Sequence, residues 1–481
     1  MGGRVEVVAR RAMTWLRGGP TRASFEVLGL GLGLVVAKDL ISFPVFYGSL
    51  AEPNRYVFPY LGVPRIPWTA QGAVVAWSVQ GVAWLGAVLL LTGAWARVGS
   101  LLLLGCYGHA FVADRLGYTN NGYLLLVLLA VHALGDGLDE AESRVVGRAA
   151  QVFIASIYLT AALTKLTSFW LSGTVLREAL FFYQPVYGRW FGWDSPWLFR
   201  VGAAATVAGE LTMALGLWNY RTRRFAIPLG VALHVGIELL LPVRFFSYLM
   251  VTSYVLFVSP PTARWLRDRL RRLPAALWPL VAVAAGAALD RAFDWWAGNY
   301  GVRLDTTLPV LGALPVGWVI LAATRWRARP RQGPGRGFGL RAGWALVPLG
   351  LLHGYLLLKP AWGAPTDFSF RLFSTLTQVR VNAFVRVGGQ WRPNELYGAS
   401  HRWSTRFLLY TWDAWPDQRE RLEHYVAWLA RHEDVGDRVR LVADLSLDHG
   451  PARRAVFEAA VPGYPDLPDR ADDPPDAPVP R

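Results

Sequence analysis

Apolar residues in this chain come in long unbroken runs, not in strict alternation. Runs lie at about 25–46, 70–94, 97–113, 122–135, 151–173, 198–218, 225–241, 245–258, 274–292, 307–323 and 342–358. Many hold roughly 20 residues, the length a helix needs to cross the hydrocarbon core at about 1.5 Å per residue. Between them stand short turns and Arg-bearing connections. The pattern changes at about residue 360. VRVNAFVRV and DRVRLVADLSL alternate as strands do, and so does FSFRLFSTL. PDQRERLEHYVAWLARH, residues 416–432, has the period of one amphipathic helix. From Pro462 onward Pro and Asp dominate, a composition too poor in apolar residues to order itself.

The predicted fold is therefore an all-α polytopic membrane protein of about nine to eleven transmembrane helices, with a small external α+β C-terminal tail. Residues 1–24 form a basic N-terminus, 25–260 a first transmembrane domain, and 261–359 further spans with Arg-rich linkers. Residues 360–461 form the tail, and 462–481 a disordered end. The first apolar run leads into further runs, so it reads as a span and not as a cleaved leader.

Composition agrees. The chain is 53% hydrophobic with 23 Trp, too apolar for a soluble protein of 481 residues. A net charge of +15 raises nucleic acid as a partner. The Arg clusters, however, lie in short loops between apolar runs, at 219–224, 264–272 and 325–341. With the N-terminus in the cytoplasm these loops all fall on the cytoplasmic side, as the positive-inside rule requires. The expected location is the cell membrane, multi-pass, with an extracytoplasmic tail, a lipid bilayer as partner and no nucleic acid. One Cys, Cys106, excludes an internal disulfide.

Only three of the 49 basic residues are Lys: Lys38, Lys165 and Lys359. Arg keeps its proton at any working pH, whereas an amine taken out of water can lose it. Ionisable residues inside a membrane are functional candidates by default. Lys165 lies near the far end of the 151–173 run, so it is either such a residue or one that snorkels to the interface beside Trp170. Lys38 and Asp39 are neighbours and read as a local pair. Glu210 is the acidic candidate for Lys165, as ion-pair partner or proton relay. His234 and Glu238 are four apart and share a helix face, but two ligands make no metal site, and no metal is predicted. Asn120 and Asn121 read as a helix cap or as ligand contacts. Trp170 reads as an interface anchor.

Three stretches carry a resemblance. DRLGYTNNGYLLLVLLA, QVFIASIYLTAALTKLTSFWLSG, and the region from Glu210 through LHVGIELLLPVRFFSYLMVTSYVLFVSP resemble the vitamin K-dependent gamma-carboxylase family and its bacterial HTTM relatives. His234, Phe246-Ser247-Tyr248 and Ser259-Pro260 stand in the family's order, over about residues 20–260. The resemblance implies an integral membrane enzyme in which Lys165 is the base that deprotonates a reduced vitamin K or menaquinone-type quinol. Oxygen then generates a strong base, a peptide Glu loses a γ-proton, and the carbanion captures CO2. It implies Asn120, Asn121, Tyr158, His234 and Tyr248 as quinol-binding residues, Glu210 and Glu238 as relay or pairing groups, and a protein or peptide Glu as outer-side substrate. There is one departure. Gly122 stands where the eukaryotic carboxylases carry a functional His directly after the Asn pair. The alternative reading is thus a non-catalytic binding or scaffold protein on the same fold. The scattered His residues argue against a diiron oxidase. The absence of internal repeats and the tail argue against a transporter.

Overall fold

The computed structural model describes residues 15, 18–42, 72–113, 120–177, 195–240, 245–272, 377–387, 389–393, 423, 426–427, 430, 438–447 and 453–460. They are mostly helical, with one small sheet. In chain order the helices are α1 (Arg22–Ser42), α2 (Gly72–Thr92), α3 (Ala96–Ala113), α4 (Asn120–Gly137), α5 (Glu140–Thr164), the single turn α6 (Ser168–Leu171), α7 (Pro196–Gly216), α8 (Tyr220–Leu240), α9 (Phe246–Ser253) and α10 (Pro260–Arg272). A 3-10 turn, Tyr254–Leu256, continues α9. The expected spans at 274–292, 307–323 and 342–358 lie outside the described residues, as do most of 1–24 and all of 462–481.

Helix α1 is the centre of the bundle. It packs against α2, α4, α9 and α10. Its sequence explains why. Phe25, Leu28, Leu32 and Val36 are wholly buried, and the glycines among them let neighbours come close. A Cβ at Gly29 would fall 2.3 Å from His132 Nε2 on α4. His132 is itself fully buried, with Nδ1 2.7 Å from Ser100 Oγ on α3. One glycine thus brings three helices together around a polar contact. Most of the core is one continuous cluster from Phe25 on α1 to Phe257 after the 3-10 turn.

Two boundaries differ from expectation. The 151–173 run is not one span. Helix α5 starts at Glu140, where Asp139 caps it by accepting a hydrogen bond from the Glu142 amide at 2.8 Å. Acidic Glu140 and Glu142 in its first turn suit the positive end of the helix dipole. The helix stops at Thr164, with Lys165 as its C-cap. Thr167 then opens α6 by accepting from the Trp170 amide at 3.1 Å. Residues 264–272, expected as a loop, belong to α10. Ala263 is buried there while Trp265 is exposed, so the Arg cluster rides on an amphipathic helix.

Among the described residues, α5 and α7 are long and apolar enough to cross a membrane. Large apolar side chains point outward on several helices, among them Leu85, Leu101, Leu163, Leu215 and Val235.

The tail holds a four-stranded antiparallel sheet in the order β2-β1-β3-β4, with β1 Thr377–Val387, β2 Gln390–Pro393, β3 Arg438–Leu447 and β4 Arg453–Ala460. Val385 pairs with Val439 in register, and Val439 and Leu441 are fully buried. The alternate positions of β3 point the other way: Arg440 stacks 3.9 Å from the Trp391 ring and bonds Glu458 at 2.6 Å. This alternation is the strand period seen in the sequence. Strands β2 and β4 were not anticipated. Of the expected 416–432 helix, Glu423, Val426, Ala427 and Ala430 are described and helical. Of these four, Val426 and Ala430, one turn apart, are buried.

Close approach at α1 can be tested by a pair of substitutions. Gly29→Ala should destabilise the protein by roughly 1–3 kcal/mol through overpacking against His132. Gly81→Ala on α2, where an added Cβ meets nothing within 4 Å, should stabilise it by about 0.5–1 kcal/mol through helix propensity. Thermal unfolding in one detergent measures both; equal effects would refute the close contact.

Candidate functional site

The site begins where α5 ends. The Lys165 amide donates to the Ala162 carbonyl at 3.2 Å, closing the last turn. Its side chain folds back over that turn, and Nζ lies 3.4 Å from the Ala161 carbonyl. Ala161 and Ala162 carry no bulk to obstruct the lysine stem. A cation over the last carbonyls of a helix is favoured by the dipole. Helix α7 supplies the counter-charge. Lys165 Nζ donates to Glu210 Oε1 at 2.7 Å and Oε2 at 3.0 Å. Lys165 is 2% exposed and Glu210 7%. Trp170 on α6 closes the group. Its ring centroid is 5.3 Å from Nζ, and its indole N–H donates to the Ala203 carbonyl at 3.2 Å. Trp170 is therefore a buried wall of the lysine site and not the interface anchor expected. Ala162, Trp170, Val175, Ala203 and Val207 form the apolar floor beneath it.

Tyr158 lies two helical turns before Lys165 on the same face of α5, and Glu210 acts on it electrostatically. Its hydroxyl is 2.7 Å from His234 Nε2 on α8 and also bonds the Tyr254 hydroxyl after α9. All three groups are buried. Phe246 meets the His234 ring edge-on at 5.7 Å. His234 Nδ1 is buried and has no hydrogen-bond partner among the described residues. Gly230 makes this approach feasible, because a Cβ there would fall 2.3 Å from the Tyr254 hydroxyl.

A second polar group continues along α8. Glu238, one turn beyond His234, lies beside Ser247 and Tyr248 and interacts electrostatically with Lys38. Lys38 Nζ sits 4.7 Å from the centre of the Tyr248 ring. Asp39 points elsewhere and accepts from the Tyr107 hydroxyl at 2.8 Å. Each of the two neighbours thus also has a partner on another helix.

The structure thus joins Lys165 to Glu210, Tyr158 to His234, and Glu238 to Tyr248. It does not join the asparagines to them. Asn120 and Asn121 open α4 itself, half-buried beside Gly122, and neither bonds Lys165 or His234. Two members of the network escaped sequence reasoning, Tyr254 and Lys38. Tyr254 follows Thr252 and Ser253 in the sequence, and nothing local marks it out from them. Lys38 was visible through the scarcity of lysine, but its partner on α8 is some 200 residues away.

Chemically, the arrangement offers a buried amine and carboxylate that can exchange one proton. Beside it lie two tyrosine hydroxyls and an imidazole bonded to one another, with one imidazole nitrogen unpartnered among the described residues.

Residues 148–262 match the model of the HTTM domain. The match takes in Tyr158, Lys165, Glu210, His234, Glu238, Tyr248 and Tyr254, and leaves Asn120 and Asn121 outside. No curated protein and no solved structure matches the chain.

The pair's energetics follow from burial. Glu210→Leu alone should destabilise by about 3–5 kcal/mol, because it strands a buried ammonium. The double variant Lys165→Met with Glu210→Leu should recover most of that loss, since an apolar pair of similar volume has no charge to desolvate. A double-mutant cycle on unfolding temperature measures the coupling; additive losses would contradict the contact.

Proposed function

We propose that this HTTM-domain protein is a polytopic enzyme of the cell membrane, gamma-carboxylase-like, with Lys165 as base toward a reduced quinone. The outward leucines on α2, α3, α5 and α7 support the polytopic reading, since a lipid-facing surface needs no polar cover. The N-terminus is then cytoplasmic and the tail external.

The observation that carries the enzymatic reading is the buried Lys165–Glu210 pair inside the HTTM match. A buried ion pair is weak evidence for stability, because desolvation offsets most of its attraction. Buried in an otherwise apolar setting, it points to function instead.

For Lys165 to act as a base, its amine must be neutral when it meets the substrate. Glu210 is the group that would hold the displaced proton, at Oε1 or Oε2. Lys165 Nζ then takes a proton from the substrate hydroxyl, and the ammonium so formed is stabilised again by the Glu210 carboxylate once that has passed its own proton on. Tyr158, within electrostatic reach of Glu210 but not bonded to it, and the His234 and Tyr254 groups it bonds would take that proton onward. Two features support a quinol: the flat, apolar Trp170 ring lies beside the amine, and His234 Nδ1, without a hydrogen-bond partner among the described residues, could meet a ring oxygen. A bound quinol would supply the reducing electrons and oxygen the oxidant, neither of which the side chains provide, and an acceptor so activated would take up CO2.

Gly122 favours a second reading, a binding or scaffold protein that keeps the quinol-type site without turnover. The two readings part in one assay. Purified protein is incubated with reduced menaquinone or vitamin K under oxygen, and epoxide is measured. The enzymatic reading predicts epoxide from the wild type and a loss of at least about 100-fold in Lys165→Arg, which keeps charge but cannot give up its proton. Absence of epoxide from a folded wild type, or full turnover by Lys165→Arg, would remove it.

A further inference from the structure

At the other end of α5, about 25 Å along the axis from Lys165, two arginines share one turn of chain. Arg148 lies over the Trp15 ring at 4.7 Å, donates from Nε to the Trp15 carbonyl at 3.2 Å, and from Nη1 to Gln151 Oε1 at 2.7 Å. Gln151 in turn donates from Nε2 to the Leu256 carbonyl at 2.6 Å. Arg223 at the start of α8 donates from Nη1 to the next carbonyl, that of Phe257. Trp218 bridges the group, 5.9 Å from the Trp15 ring and 6.2 Å from Phe257. Both guanidinium groups are thus tied to consecutive residues of the segment that ends the 3-10 turn.

Both are half-buried, and their like charges act on each other. Among the described residues, neither is paired with a carboxylate; every acceptor named above is neutral. Each guanidinium has five N–H donors. The contacts use two on Arg148 and one on Arg223, so donors and positive charge remain uncommitted on both. Like charges held together by the fold, partly out of water and with no carboxylate partner among the described residues, repel each other until an anion arrives. Planar guanidinium forks match phosphate oxygens best. Basic pockets between helices on the cytoplasmic side are suited to phosphate head groups, and the Arg pattern assigns this end to that side.

We propose that Arg148 and Arg223 form a binding site for the phosphate group of an anionic ligand, either a phospholipid head group or free phosphate. The site is remote from Lys165 and stands whether or not the quinol reading holds. Its occupant clamps α5, α8 and the N-terminal segment at Trp15 together.

The full-length protein, purified in neutral detergent, is unfolded by heat with tryptophan fluorescence as the readout, alone or with phosphatidylglycerol, phosphatidylcholine or inorganic phosphate. Phosphatidylglycerol in large excess over its Kd should raise Tm by at least about 5 °C, and phosphatidylcholine should not. An equal rise with inorganic phosphate identifies free phosphate as sufficient; a rise with phosphatidylglycerol alone identifies the lipid. Arg148→Gln and Arg223→Gln should each abolish the rise, while Arg264→Gln on α10 keeps it. If the glutamine variants do not fold, Arg148→Lys and Arg223→Lys keep the charge and lose the fork, and should raise the half-saturating concentration about tenfold or more. The proposal is overturned if neither anion raises Tm, if phosphatidylcholine does as well, if Arg264→Gln loses the rise, or if the position-148 and position-223 variants respond like the wild type.

Discussion

A lysine and a glutamate that meet out of reach of water constrain everything around them. Lys165 and Glu210 come from different helices, and each needs the other to be tolerable there. Helices α5 and α7 must therefore hold a fixed register. Ala161 and Ala162 on one side and Ala203 on the other are small enough to permit it. Helix α5 must end where it does, because the lysine reaches its partner by folding back over the last turn. The single turn α6 then places Trp170 as a cover, pinned by its own hydrogen bond to Ala203.

From that pair the polar groups run inward. Tyr158 is on the lysine's face of α5, His234 and Glu238 are on one face of α8, and Tyr254 comes from the segment that also anchors Arg223 nearby. The domain's ionisable groups are threaded through a core that is otherwise leucine, valine, phenylalanine and alanine. Polar groups in such a setting are hydrogen-bonded almost without exception. Among the described residues, His234 Nδ1, Glu238 Oε2 and Ser247 Oγ are the buried atoms of the network without a hydrogen-bond partner.

Much of this was legible in the amino-acid order. Among the described residues, long apolar runs gave most helices to within a few residues, with α5 and α10 the exceptions. The scarcity of lysine marked Lys165, and its spacing from Ala161 and Tyr158 gave the face it shares. The boundaries of α5 were harder. Charged residues 139–144 resemble a loop by hydropathy, yet Asp139 is an N-cap and the two glutamates suit a first turn. The cover role of Trp170 depends on a hydrogen bond across 33 residues of chain, which no local pattern reports. Asn120 and Asn121 were drawn into the site by resemblance, and the contacts of Lys165 and His234 do not include them.

The rarity of lysine also supplies the most direct test of the central claim, that the Lys165 amine is sealed from water and held by Glu210. Membranes carrying the intact protein are treated with a water-soluble amine-acylating reagent, and modification at each lysine is followed by mass spectrometry. The account predicts that Lys165 stays unmodified in the folded protein and reacts readily once the chain is denatured. Acylation of Lys165 at the same rate in folded and denatured protein would contradict it.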